Sequence, residues 1–327
     1  LKIMAELDIT EKRVPQDGRI KIRINGKPID LRVSTLPTIF GEKIVMRILD
    51  KSNLQVNLAR LGFEEDAMAK FLTAIESPYG MVLVTGPTGS GKSTTLYSAL
   101  NKINKPHSNI MTAEDPVEYN LDGINQVNVH EEIGLTFAAA LKAFLRQDPN
   151  IVMVGEIRDM ETASIATKAA LTGHLVLSTL HTNDAASSIN RLIDMGIEPF
   201  LVASSVNLIV AQRLVRRLCD KCKQEVTLHE ETLRELGIPE SPEELTVFQA
   251  KGCVSCNDTG YSGRQGLYEV MPISPGIREM ILERKSTAEV KHTAIKESML
   301  TLRLDGLEKF KKGVTSLEEV LRETSEF

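Results

Sequence analysis

The octapeptide Gly86-Pro87-Thr88-Gly89-Ser90-Gly91-Lys92-Ser93 constrains this chain more than any other stretch. It matches G-x-x-x-x-G-K-[ST], the phosphate-binding P-loop. An apolar run, Met81 to Val84, leads into it, and a helix-compatible stretch, Ser93 to Asn101, follows. That is the strand–loop–helix context the motif needs. A polyphosphate requires many N–H donors at close range, and glycine lets the backbone wrap that tightly. The N-terminus of the following helix adds positive partial charge. Lys92 would reach the β- and γ-phosphates, and Ser93 would hold Mg²⁺. The alternative, a glycine-rich turn that matches by chance, leaves the flanking strand and helix patterns without a purpose.

At 327 residues the chain is long enough for two or three domains, each with its own core. A hydrophobic content of 42% and a charged content of 25% describe an ordinary globular protein. The net charge of −5 excludes a global basic field for nucleic acid or anionic lipid. Aromatic residues make up 4% and Trp is absent, which argues against a base-stacking platform. No apolar run approaches the roughly 18 residues of a membrane helix, and no signal peptide precedes the first domain. The chain opens at Leu1 rather than Met and begins mid-helix in character. It reads as a fragment whose N-terminal region is missing.

Residues 1 to about 50 read as a small α+β unit. Arg19-Ile20-Lys21-Ile22-Arg23-Ile24 alternates charged and apolar residues, Asn25-Gly26 follows, and Ile29 to Ser34 alternates again. That pattern predicts a hairpin, and Gly41 to Leu49 predicts one more strand. The segment is mildly basic, with ten Lys and Arg against seven Asp and Glu. Asp50-Lys51-Ser52-Asn53 opens a linker, placed at 51–55, and a second domain occupies 56–327. There, β-rich runs recur at Met81–Thr85, Asn109–Ala113, Ile151–Val154 and Leu175–Thr179, with helical stretches between them. Asp159 to Gly173 is a helix with an Asp N-cap and a Gly stop. Strand–helix alternation implies a mostly parallel sheet with ligands at the carboxyl ends of its strands. Amphipathic helices run to Phe327. Thr315-x-x-Glu318 and Ser316-x-x-Glu319 each fit a capping box at the start of the last one.

Several groups follow these runs. Ile151-Val152-Met153-Val154-Gly155-Glu156 is a Walker-B-like strand that ends in an acid able to hold a Mg²⁺-bound water. Glu114-Asp115-Pro116-Val117-Glu118 gathers three acids around a Pro, a place for a water-activating base or simply a charged turn. His174 precedes one strand and His181 follows it; either a γ-phosphate contact or an ordinary structural histidine fits. Arg32, Arg47 and Arg146 are candidate arginine fingers or plain surface arginines. Cys219-x-x-Cys222 and Cys253-x-x-Cys256, thirty residues apart, supply four thiolates. In a chain that looks intracellular, this spacing favours metal over disulfides. Cys₄ without His or acid has no open position, so Zn²⁺ would be structural, with a small 219–256 subdomain filling the long spacer. A nucleic-acid-binding zinc ribbon is the functional alternative. Arg213, Arg216, Arg217, Lys221 and Lys223 lend it support, although a basic face docking on a partner explains them as well.

Taken together, these motifs resemble the secretion ATPases of the type II and type IV pilus systems, over essentially the whole chain. The marks are Gly86–Thr94 (through Ser93 and Thr94) as Walker A, Thr112–Tyr119 as the Asp box, Leu145–Asp159 as Walker B, and Thr172-Gly173-His174 to His181–Ala185 as the His box. Asp30–Pro37 looks like the family's second N-terminal domain, a PAS-like α+β unit. The Cys₄ subdomain resembles that of the PilB/GspE-like assembly (extension) branch, which retraction ATPases of the PilT type lack. The resemblance implies an α/β, RecA-like P-loop NTPase domain behind that small N-terminal domain. It also implies a homohexameric ring that binds ATP, Mg²⁺ and Zn²⁺ at the cytoplasmic face of the inner membrane. The ring would act on a membrane platform protein, with no direct contact to nucleic acid. By the same resemblance, Glu118 is the catalytic base, Glu156 the Walker B acid, His181 the γ-phosphate sensor with His174 the weaker of the two, and Arg32 and Arg47 the charges brought to the phosphates. The family's first N-terminal domain is absent, so partners that dock there are in doubt. Pilus assembly and type II secretion both fit the motifs. A nucleic-acid motor and a nucleotide-gated scaffold of negligible turnover are the readings from other classes.

Overall fold

A computed structural model describes residues 1–24, 26–50, 57–238 and 245–324. The linker expected at 51–55 and Asn25 of the expected turn lie outside the described residues. The chain divides into two compact units, Leu1–Gln55 and Val56–Phe327.

The first unit is an antiparallel meander of β1 (Gln16–Ile24), β2 (Lys27–Thr38) and β3 (Gly41–Asp50). The charged–apolar alternation of β1 turns Ile20 inward, where it packs with Val33 and Ala5 in a small core. Ile24 pairs with Lys27, leaving a two-residue connection, and Gly26 takes a left-handed φ of 80°. Leu1–Leu7 forms hydrogen-bonded turns, with Ala5 N–H donating to Leu1 O at 3.0 Å and Leu7 N–H to Lys2 O at 2.9 Å. The described residues of this unit hold no helix. The Asp8 carboxylate takes the N–H and hydroxyl of Thr10, a local bond that competes with helix propagation.

The second unit opens with α1 (Glu65–Ile75), β4 (Gly80–Thr85), α2 (Lys92–Ile103), β5 (Ile110–Glu114), β6 (Asn125–Asn128) and α3 (Phe137–Phe144). It continues through β7 (Ile151–Val154), α4 (Met160–Leu171), β8 (Leu175–Leu180), α5 (Ala185–Asp194), α6 (Pro199–Ser205) and β9 (Val206–Leu218). A small outer sheet pairs β10 (Gln224–Val226) with β11 (Val247–Gln249), with α7 (Glu230–Glu235) between them. The chain then returns as β12 (Tyr261–Pro272) and ends in α8 (Pro275–Leu282), α9 (Thr287–Lys296), α10 (Leu302–Lys311) and α11 (Leu317–Glu323).

The main sheet has seven strands in the order β12-β9-β4-β8-β7-β5-β6. All neighbours are parallel except β12, which runs antiparallel to β9. All six residues of β4 and all six of β8 are buried, because helices cover both faces. Alternation sorts them: Val82 and Val84 pack with Phe71, Leu96 and Leu100 of α1 and α2. Met81 and Leu83 join Leu141, Ala166 and Ile189 on the other face. The four apolar runs of the sequence are therefore the sheet's centre. Its flanks are β6, β9 and β12.

Two helix ends show how local chemistry sets the layout. Asp159 caps α4, its carboxylate accepting the Thr162 N–H at 2.8 Å, and Gly173 follows the helix at φ 107°. At α11, Ser316 is the N-cap, with its hydroxyl accepting from Glu319 N at 3.4 Å. Glu319 does not complete the expected box. Its carboxylate binds Arg216 of β9 instead, at 2.7 and 3.0 Å, and takes the Arg216 N–H at 2.8 Å.

Candidate nucleotide site and cysteine centre

The P-loop leaves the carboxyl end of β4 and enters α2, whose left-handed N-cap is Gly91. Gly86, Gly89 and Gly91 have φ of 145°, 83° and 89°. A Cβ at Gly86 would also lie 2.4 Å from the Gln212 carbonyl, so that position needs glycine for space as well as for angle. Gln212 sits on β9, is fully buried and braces the loop. Its Nε2 donates to Ser90 O at 2.7 Å, and its Oε1 accepts the Thr95 hydroxyl at 2.8 Å. Lys92 Nζ donates to Gly86 O at 2.8 Å and Pro87 O at 3.1 Å. Burial draws the Lys92 pKa down and the charge of Arg213 adds to that, while Glu156 works against it. Ser93, in the first turn of α2, is exposed.

The neighbouring strands deliver the remaining candidates to the same edge. Glu156 follows β7, and both its oxygens are used: Oε2 by His181 Nε2 at 3.0 Å, Oε1 by the Arg158 guanidinium. His181 follows β8, so its recorded partner is the Walker-B-like acid. Past β5 the three acids separate by role. Glu114 is buried and fully engaged, by the Tyr97 hydroxyl, by Thr112 Oγ1 at 2.7 Å and by Gln126 Nε2 at 3.1 Å. Burial and then the Glu114 charge push the Tyr97 pKa well up, so Tyr97 stays a donor. Asp115 is exposed. Glu118 is half-buried, with its backbone N–H on Tyr97 OH at 3.2 Å. Thr85, the last residue of β4, fastens this edge together: its Oγ1 meets Thr182 Oγ1 at 2.6 Å and takes the Thr182 N–H at 2.9 Å.

His174 and Arg146 lie at the opposite edge. His174 precedes β8, with Nδ1 3.1 Å from Ala169 O at the end of α4. Arg146 precedes β7 and donates to Lys142 O at 3.0 Å. Neither joins the P-loop of its own chain. In the first unit Arg32 and Arg47 are directly paired across β2 and β3, and Arg19 of β1 is paired with Arg32. Directly opposed residues share a face, so three arginines form a row that only the register discloses. Sequence reasoning also missed Gln212 and Arg158. A polar residue inside a strand, or one two positions past a motif, carries no signal until the fold supplies its partner.

The four cysteines meet beside the end of β9, with all four Sγ atoms within 4.8 Å of one another. Cys219–Cys253, Cys222–Cys256 and Cys253–Cys256 are 4.0, 3.8 and 3.7 Å apart. A tetrahedral zinc thiolate with Zn–S near 2.3 Å separates its sulfurs by about 3.8 Å, so the donor set fits zinc. Burial works to raise the Cys256 thiol, but N–H bonds from Cys253 and Gly260 bring it down to about 6. The basic side chains nearby each have a partner within the chain, although Arg213 engages only one of its guanidinium nitrogens. Arg216 binds Glu319, Arg217 and Lys223 bind Asp220, Lys221 reaches Ser255, and Arg213 reaches Asn183. Each of these residues thus has a role within the chain, beside the nucleic-acid face and the docking face that the sequence left open.

A P-loop at the carboxyl end of a central parallel strand, with a histidine and acids at the same ends of β8, β7 and β5, defines a RecA-like P-loop nucleotide-binding protein. The chain belongs to the family described as Type II/IV secretion system protein, which matches residues 1–322. It is 59% identical over 330 residues to the type IV pilus assembly ATPase PilB of Myxococcus xanthus, covering 99% of this chain and 58% of that protein. It is 51% identical over 327 residues to the type II secretion system ATPase E of Vibrio cholerae, covering 100% of this chain and 64% of that protein. The chain thus spans less than two thirds of these relatives. Among solved structures, the pilus retraction motor PilT with bound ADP superposes with a TM-score of 0.70 at 28% identity, covering 96% of this chain and 78% of that one. The Legionella pneumophila ATPase DotB shares the fold, with a TM-score of 0.68 at 22% identity, covering 94% of this chain and 76% of that one. Among the described residues, no helix is long and apolar enough to cross a membrane.

Proposed function

We propose that this chain is the catalytic core of a Mg²⁺-dependent ATP hydrolase that drives type IV pilus assembly. One observation carries the reading: Lys92, Glu118, Glu156 and His181 stand at the carboxyl ends of β4, β5, β7 and β8, at one edge of the sheet. The loop N–H groups and Lys92 hold the β- and γ-phosphates, and Ser93 and Glu156 are placed to hold Mg²⁺. When bound, that ion neutralises charge developing on the phosphates. Glu118 takes a proton from the attacking water, while its neighbour Glu114 is sequestered. His181 orients Glu156 and reports on the γ-phosphate. Arg32 and Arg47 bring positive charge from the first unit, read as a PAS-like domain over 1–50 with a linker at 51–55.

In this reading six copies form a ring, ATP binding closes the units, and hydrolysis becomes movement. Zn²⁺ in the cysteine centre is structural. The ring works in the cytoplasm against an inner-membrane platform protein and binds no nucleic acid. The 59% identity to a pilus assembly ATPase supports this role. The 51% identity to a type II secretion ATPase favours a second one, powering protein export. Complementation of a pilus-assembly mutant and of a secretion mutant separates the two roles.

The decisive experiment is Mg²⁺-ATPase activity per subunit across protein concentration. Specific activity that climbs with concentration is expected of sites completed by assembly. Constant, substantial activity means self-sufficient subunits and rejects the ring motor. Activity no higher than that of Glu156→Gln leaves a nucleotide-gated scaffold.

A further inference from the structure

Arg213 lies on β9 just beyond Ala211, the last residue that β9 pairs with β4. Its neighbours Gln212 and Leu214 approach the P-loop: Cβ atoms built on Gly86 and Gly91 would meet Gln212, and that on Gly91 also Leu214 at 3.5 Å. Strand alternation sends Arg213 to the other face. There it crosses the end of β4, and its Nη2 donates to Asn183 Oδ1 at 3.2 Å and to Asn183 O at 3.4 Å. Asn183 is two residues past His181. One side chain therefore joins the strand that braces the phosphate loop to the loop that carries the histidine.

The surroundings of Arg213 call for an anion. Its Nη1 is buried and has no hydrogen-bond partner among the described residues, whereas buried donors in folded proteins are nearly always paired. The acids that attract it, Glu323, Asp184 and Glu269, act at range. Two of them are occupied: Asp184 accepts from Ser187 N at 2.7 Å and Glu269 from Ala185 N at 2.8 Å. Arg213 also stands close enough to Lys92 for its charge to disfavour the protonated lysine. Two cations that feel one another at a half-buried edge repel, and an anion between them relieves that repulsion.

We propose that Arg213 is a phosphate ligand supplied by the same chain as the P-loop. Its Nη1 edge takes the terminal phosphate of a nucleoside triphosphate while Nη2 keeps Asn183, so that phosphate occupancy is passed to the His181 loop. The proposal rests on the nucleotide-site reading above and adds a means of telling triphosphate from diphosphate.

The test is calorimetric titration of the chain with AMP-PNP and with ADP, each with Mg²⁺. Losing a charge-assisted bond to the terminal phosphate, Arg213→Gln is expected to weaken AMP-PNP by about tenfold or more and ADP by less than about threefold. Arg213→Lys, which keeps the charge without the fork, is expected to fall between. Should Arg213→Gln fail to fold, Arg213→Lys decides alone, and equal effects on the two nucleotides overturn the proposal. Equal losses with Arg213→Gln mean that Arg213 only shapes the loop, and no loss means that it touches neither; both outcomes also overturn it. Lys92→Ala separates the two levels of the argument. If wild type binds neither nucleotide, or Lys92→Ala weakens neither, the nucleotide-site reading falls and this proposal falls with it.

Discussion

The phosphate loop and the cysteine centre both lean on β9, yet they are held in opposite ways. The loop is a backbone object. Three glycines at φ between 83° and 145° aim its N–H groups, and one buried side chain, Gln212, fixes it from behind. The cysteine centre is a side-chain object, in which four sulfurs from two separated turns converge to within 4.8 Å. A backbone site depends on few side chains, here Lys92 and the brace Gln212, and fails also when a Cβ is added. A side-chain site tolerates backbone drift and fails when one donor atom is lost. The contrast says which mutation breaks each.

The largest effect is expected at the cysteines. Structural zinc in small metal-dependent domains supplies roughly 10–16 kcal/mol of apparent binding free energy, much of it folding energy. Cys256→Ser should therefore reduce metal content from one zinc per chain to near none and make the 219–256 segment sensitive to protease. Nucleotide affinity should stay within about threefold if the two sites are independent, and a larger fall would mean that β9 couples them. Absence of stoichiometric zinc in the wild type rejects the metal centre. Next, Lys92→Ala removes charge-assisted bonds worth about 1.5–3 kcal/mol each and should raise the ADP dissociation constant by about a hundredfold; unchanged affinity sinks the P-loop assignment. Third comes a matched pair. Gly86→Ala meets the Gln212 carbonyl at 2.4 Å and should cost about 2–4 kcal/mol of stability in thermal melts. Gly89→Ala has nothing within 4 Å of its new Cβ and bears only its φ of 83°, a cost of about 1–2 kcal/mol. Equal costs would mean that angle alone governs the loop. The smallest effect is at Ser316→Ala, where loss of the α11 cap should cost about 1 kcal/mol, seen as a lowered Tm with nucleotide affinity unchanged.

Much of this was legible in the sequence, and the part that was not shares one physical cause. The central strands announce themselves because a parallel strand buried on both faces is mostly apolar, as Ile151–Val154 is throughout and Leu175–Leu180 is but for Ser178 and Thr179. The P-loop and the paired CxxC motifs are local patterns whose spacing is their chemistry. By contrast, β9 mixes Asn207, Gln212, Arg213 and Arg216 into an apolar strand, and each polar residue is explained by a distant partner. Gln212 answers to Ser90 and Thr95, and Arg216 to Glu319, 103 residues away. The basic cluster, which the sequence left open between a nucleic-acid face and a docking face, likewise has partners within the chain that the sequence does not disclose. His174 and His181 flank one strand alike in the sequence; the direction of β8 alone puts one at each edge. The first unit adds a further case, since the row of Arg19, Arg32 and Arg47 exists only once register is known.

The single strand β9 also imposes a parity on the molecule. From Gln212 to Leu218 it takes six steps, about 20 Å at roughly 3.3 Å per step. Its even positions, such as Gln212 and Leu214, turn toward the loop, and its odd ones, such as Arg213, turn away. Inserting or deleting one residue in this span would exchange the two sets downstream and present Cys219 to the wrong side. Two residues would restore the phase and merely move the cysteine turn along the axis. Like a ruler marked on alternate faces, β9 permits changes of length in steps of two, and a series of insertions scored for zinc content would show that even–odd rhythm.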